Sequence, residues 1–83
     1  MDFTVRTAAE LGPILKRLRA SKGWTQHALG QRIGLSQERI AAIENHPERI
    51  SLDQLLTVLM TFDAQVSISA RRTAGRTGRQ ESW

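Results

Sequence analysis

Apolar residues recur with helical spacing through most of the chain, and period-two alternation is confined to its two ends. Leu11, Ile14, Leu15 and Leu18 fall at i, i+3, i+4 and i+7, the stripe of a core-facing helix. Thr7-Ala8-Ala9-Glu10 ahead of them has the form of a capping box, in which Glu10 reaches back to the Thr7 N–H. Pro13 leaves two starts open: a helix capped at Thr7 and kinked at Pro13, or a regular helix beginning near Gly12. Lys16, Arg17 and Arg19 are expected on the outer face, and Gly23 ends the element.

The centre of the chain runs from Trp24 to Asn45 and reads as two short helices around a tight turn. Thr25 suits the N-cap of the first, because its hydroxyl can accept from a free N–H in the opening turn. That helix is expected to bury Ala28, Leu29 and Ile33, and Gly34 fits the left-handed residue just past its end. Leu35 anchors the turn, Ser36 caps the second helix, and Ile40 and Ile43 point inward. Gln37, Glu38 and Arg39 then sit at the open N-terminal end of that second helix. Helix, glycine turn and a helix with a polar leading edge is the arrangement that places a recognition helix in the DNA major groove.

Asn45-His46-Pro47-Glu48-Arg49 follows as a loop, since proline stops the helix. Ser51 caps a last helix, with Asp53 near its positive end. Leu52, Leu55, Leu56 and Leu59 make one stripe, and Val58, Met60 and Phe62 widen it beyond what a small monomer buries. A second copy is the simplest cover for such a surface. Gln65 to Ala70 alternates polar and apolar residues and predicts a strand; Asp2 to Arg6, with Phe3 and Val5, does so over a shorter span. One such strand cannot satisfy its own backbone, so pairing across a dimer is the favoured arrangement, with Phe62, Val66 and Ile68 at the interface.

Composition changes this picture in few places. The length of 83 residues implies one folded domain, taken as residues 1–70, and the absence of cysteine excludes disulfides and thiolate metal sites. The net charge is +4, but residues 1–70 hold 8 basic and 7 acidic side chains (8 − 7 = +1) and residues 71–83 hold 4 and 1 (4 − 1 = +3). Most of the excess is therefore in an arginine-rich tail that lacks an apolar pattern and is expected to be disordered alone. Trp83 ends it, either as an incidental last residue or as an anchor for a pocket on a partner. No signal peptide or membrane span is evident, so a soluble cytoplasmic protein is expected.

Candidate chemistry concentrates on DNA. Gln26, at the start of the first of the two central helices, is placed to hold a phosphate oxygen. Gln37 is the strongest base reader, because a glutamine amide can bond adenine N6 and N7 together. Ser36, Glu38 and Arg39 are candidates for bases or backbone, and Asn45 and Arg49 for phosphates. Glu38 also gives weight to an adaptor that no longer touches DNA, since a carboxylate near phosphate is repelled. Glu44 has no partner acid at useful spacing and reads as structural; Trp24 reads as a packing residue. His27 and His46 are isolated, and no nucleophile–base pair or phosphate loop is present, so neither an enzyme, a metal nor a cofactor is expected.

Gly23-Trp24-Thr25-Gln26, Leu29, Gly34, Ser36-Gln37, Ile40 and Glu44-Asn45 together resemble the lambda-repressor-like (Cro/C1, XRE) helix-turn-helix domains over roughly residues 8–62. The short chain, the strand after the last helix, the Asn-x-Pro and the terminal Trp are similar to the HipB-like antitoxins within that group. The arginine-rich tail departs from that pattern. The resemblance implies an all-α domain of four to five helices with a short C-terminal strand paired in a homodimer. It also implies operator binding that represses the protein's own operon, and a complex with a HipA-like serine/threonine kinase toxin. A small regulator without a toxin remains the alternative.

Overall fold

The computed structural model describes residues 2–70 and is all-helical across them. A 3-10 turn at Ala8–Glu10 leads into α1 (Leu11–Ser21), followed by α2 (Gln26–Ile33), α3 (Gln37–Asn45), a 3-10 turn at Pro47–Arg49, and α4 (Leu52–Thr61). The helices are short, and each is held by its ends as much as by its length. Thr25, Ser36 and Ser51 each accept from the backbone N–H three residues on, at 3.0, 3.1 and 3.0 Å. The Glu10 carboxylate accepts from the N–H groups of Arg6 and Thr7, and these two bonds hold its pKa below the usual value. Pro13 falls in the first turn of α1, where its missing N–H has no intrahelical partner to lose, so the regular helix starts at Leu11, beside Gly12, and needs no kink.

Three helices close with the same chain reversal. Gly23 and Gly34 take left-handed φ values of 74° and 77°. Trp24 N–H then reaches the Arg19 carbonyl at 3.2 Å, and Leu35 N–H reaches the Gly30 carbonyl at 2.8 Å. α4 ends on Asp63 at φ 60°, with Ala64 N–H bonded to the Leu59 carbonyl at 2.8 Å. Aspartate tolerates this region better than most residues with a side chain.

Every helix contributes to one core: Leu15 from α1, Leu29 from α2, Ile40 and Ile43 from α3, and Val58, Leu59 and the following Phe62 from α4. Full burial of such a side chain stabilises by about 1.5–3 kcal/mol. Trp24 closes the rim with its ring 6.0 Å from that of Phe62, and the Arg32 guanidinium lies 4.1 Å from the centre of the Trp24 ring. α3 packs on α1 and α2, while α4 packs on α2 across the remaining side.

Phe62 corrects one expectation, and the strand pairing expected across a dimer has no counterpart within one copy. Phe62 is 4% exposed, a member of the core of one copy and not a surface left for a second. Residues 2–6 and 65–70 form no paired strand; among the described residues there is none. A single copy offers neither segment a sheet edge, and an unpartnered strand leaves its backbone groups unpaired. The N-terminal segment is instead laid on α1, with the Arg17 guanidinium 5.8 Å from the Phe3 ring centre.

The apolar excess of α4 survives the correction but lies on different residues. Leu55, Val58, Leu59 and Phe62 turn inward, whereas Leu52, Leu56 and Met60 stay 66%, 37% and 72% exposed. The exposed set is spaced by fours, a separate stripe roughly 110° around the helix axis from the buried one.

Candidate nucleic-acid interface

The α2–turn–α3 unit is built by close backbone approach. A Cβ placed on Gly30 would sit 2.3 Å from the Leu35 carbonyl oxygen, so only glycine lets the turn fold against α2. Gly12 does the same between α1 and the end of α3, where a Cβ would meet the Glu44 carbonyl oxygen at 2.4 Å. These contacts hold Ile40 and Ile43 inward and leave the opposite face of α3 outermost.

Beneath that face lies a charged pair. Glu44 is 3% exposed, and its carboxylate receives Arg19 Nε at 2.7 Å and Arg19 Nη2 at 3.1 Å. Arg19 Nη1 also donates to the Trp24 carbonyl at 3.0 Å, so one guanidinium ties α1 to α3 and to the start of the central unit. Arg19 is therefore half-buried and fully engaged, not an outer-face residue as its helical position suggested. Gln26 Nε2 donates to Glu44 Oε1 at 3.1 Å, and Gln37 Nε2 donates to Gln26 Oε1 at 3.5 Å. The chain of contacts Arg19, Glu44, Gln26, Gln37 thus runs from the protein interior to its surface.

The remaining candidates are placed as follows. Ser36 caps α3 through its oxygen, which leaves the hydroxyl proton free to donate. Glu38 and Asn45 are exposed on the outer face of α3, together with Ala42, a small residue the sequence reading passed over. Small side chains there let a helix approach a groove closely. Arg39 is exposed but turned toward α4, where its Nη2 donates to Gln54 Oε1 at 2.7 Å. Gln54 was not singled out by sequence, since nothing local links positions so far apart. Arg49 is exposed in the 3-10 turn, its Nε 3.9 Å from Glu48. Trp83 lies outside the described residues.

Gln26, Ser36 and Gln37 are thus brought together at one edge, with Glu38, Asn45 and Ala42 along the adjoining face. Amide, hydroxyl and carboxylate groups project there from a narrow helix, a surface that can exchange hydrogen bonds with planar donor–acceptor edges. Among the described residues no cluster of three or more His, Asp or Glu could hold a metal ion. None of the helices found there is long and apolar enough to cross a membrane.

Residues 15–67 match the family model HTH_3, described as helix-turn-helix. The chain belongs to this helix-turn-helix family. Its members include the XRE type anticipated from the residues around Gly34. Antitoxin HipB of Escherichia coli O6:H1 (strain CFT073) is 27% identical over 70 residues, covering 84% of this chain and 74% of that one. Antitoxin HipB of Escherichia coli K12 is 26% identical over 70 residues, covering 84% and 80%. Among solved structures, a HipB-O1-O2 complex aligns with a TM-score of 0.75 at 25% identity, covering 83% of this chain and 100% of that one. A HipA-HipB-O2-O3 complex aligns with a TM-score of 0.75 at 24% identity, covering 86% and 100%.

Proposed function

We propose that this HTH_3 protein is a DNA-binding antitoxin that represses its own operon as a homodimer and complexes with a HipA-like serine/threonine kinase. The observation that carries the reading is the outward edge of α3, where Gln37 stands at the helix start with Gln26 beside it. An α-helix presented this way enters the major groove by its N-terminal end, and glutamine offers adenine a paired donor and acceptor. Gln26, Ser36, Asn45 and Arg49 hold the flanking phosphates, and Glu38 and Arg39 complete the readout. Similarity to antitoxin HipB, including structures described as HipB with O1 and O2 and with HipA, supports this assignment.

The experiment is a salt-dependent mobility shift on the duplex upstream of the gene. Binding should weaken steeply with salt, as phosphate contacts release counterions. Gln37→Ala should cost roughly 1–3 kcal/mol on that duplex and much less on random DNA. Equal losses on both would remove Gln37 from base reading. Mixing with a HipA-like kinase should give a stable complex on size exclusion, and no complex would leave a regulator without a toxin. An adaptor without DNA binding is favoured by one feature, the exposed Glu38 on the reading face, and a shift that fails at every salt concentration would select it.

The homodimer is proposed through the exposed stripe of α4, Leu52, Leu56 and Met60, continued by Val66 and Ile68, which are 52% and 93% exposed. Pairing residues 65–70 with the same segment of a second copy satisfies both backbones and covers the stripe. Trp83, outside the described residues, is the proposed anchor on the kinase partner. Chains ending at residue 64 are expected to be monomeric by light scattering; a persistent dimer would place the interface elsewhere.

A further inference from the structure

We infer that Glu44 is a positioning residue: buried beneath α3, it fixes the hydrogen-bonding polarity of Gln37 and so its choice of adenine over guanine. The inference rests on the DNA reading proposed above. It starts from an asymmetry of the donors. An ionised carboxylate can only accept, so the amide of Gln26 must turn its Nε2 toward Glu44 Oε1, at 3.1 Å. Arg19 fixes that carboxylate with two donors, Nε to Oε2 at 2.7 Å and Nη2 to Oε1 at 3.1 Å, so that Oε1 is shared with Gln26. The Gln26 Oε1 is thereby aimed away from the interior and accepts from Gln37 Nε2 at 3.5 Å.

The consequence appears at the surface. One of the two Gln37 amide protons is directed to Gln26, which leaves one N–H and one carbonyl oxygen for a base. That pair matches adenine, which presents the N6 donor and the N7 acceptor. Guanine presents two acceptors, O6 and N7, and needs both amide protons. A free Gln37 can offer either edge; one held by Gln26 offers only the first. The polarity is set by the charge on Glu44, three links from the base, although Glu44 itself is shielded from any ligand at 3% exposure.

The test is selection from a duplex pool randomised across two helical turns, using the full chain, Glu44→Gln, Gln26→Met and each combined with Gln37→Ala. Glutamine at position 44 can turn either its oxygen or its nitrogen toward Gln26, which frees the relay. The wild type should select adenine at one position of each half-site. Glu44→Gln and Gln26→Met should each reduce the adenine-to-guanine preference there about tenfold while preferences elsewhere persist. Neither should change specificity further once Gln37 is alanine. Should Glu44→Gln fail to fold by circular dichroism, Gln26→Met decides, because it leaves the Arg19–Glu44 pair intact. A loss spread evenly over all positions, or an adenine preference that survives both variants, overturns the inference and leaves DNA binding standing. A wild type that selects no sequence overturns both.

Discussion

Arg19→Ala is expected to destabilise the domain by about 3 kcal/mol or more, the range found when one member of a buried ion pair is removed. The side chain of Glu44 is 1% exposed, so losing the guanidinium strands a carboxylate with only the Gln26 amide as a side-chain donor. The Trp24 carbonyl loses its donor as well. For a domain of this size a 3 kcal/mol loss lowers the melting temperature by roughly 12–24 °C, which thermal denaturation reads directly. The surface pair Lys22–Asp63 is the control. Its side chains are 35% and 85% exposed at 3.2 Å, and Lys22→Ala should cost less than about 1 kcal/mol. Equal effects of the two substitutions would mean that burial of the Arg19–Glu44 pair confers no special importance.

Gly30→Ala is expected to be the second large effect, about 1–3 kcal/mol of stability together with a disproportionate loss of DNA affinity. The added methyl would lie 2.3 Å from the Leu35 carbonyl oxygen, a contact that only backbone movement can relieve. The same stretch carries the bond from Leu35 N–H to the Gly30 carbonyl, which closes the turn and sets α3 against α2. Moving it separates Gln26 from Gln37, whose amides are already at the limit of hydrogen-bond reach at 3.5 Å. Urea unfolding measures the first effect, and a mobility shift at a temperature where the variant is fully folded measures the second. An unaltered unfolding midpoint would show that the turn yields without cost.

The elements themselves were largely readable because their signals are local. Caps at Thr25, Ser36 and Ser51 act over three residues, and the left-handed glycine at position 34 acts within one turn. Periodicity turned the apolar residues of α1, α2 and α3 inward because each has a single apolar stripe, but it left Arg19 on the wrong face. α4 defeated the same method. It is apolar around much of its circumference, so its sequence does not say which stripe meets the core, and Phe62 was assigned to the wrong surface. The strands were expected from alternation, a pattern that describes a strand only where a second edge exists.

Sequence alone determined that this chain makes short capped helices around a glycine turn, with Gln37 leading the exposed one, since those choices depend on neighbours within a few residues. Only the tertiary structure decided that Arg19 turns inward to Glu44, 25 residues away, that Arg39 reaches Gln54, and that Gln26 joins the buried charge to Gln37. Such contacts depend on how helices cross. A helical repeat orients side chains about one axis and carries no information about the next.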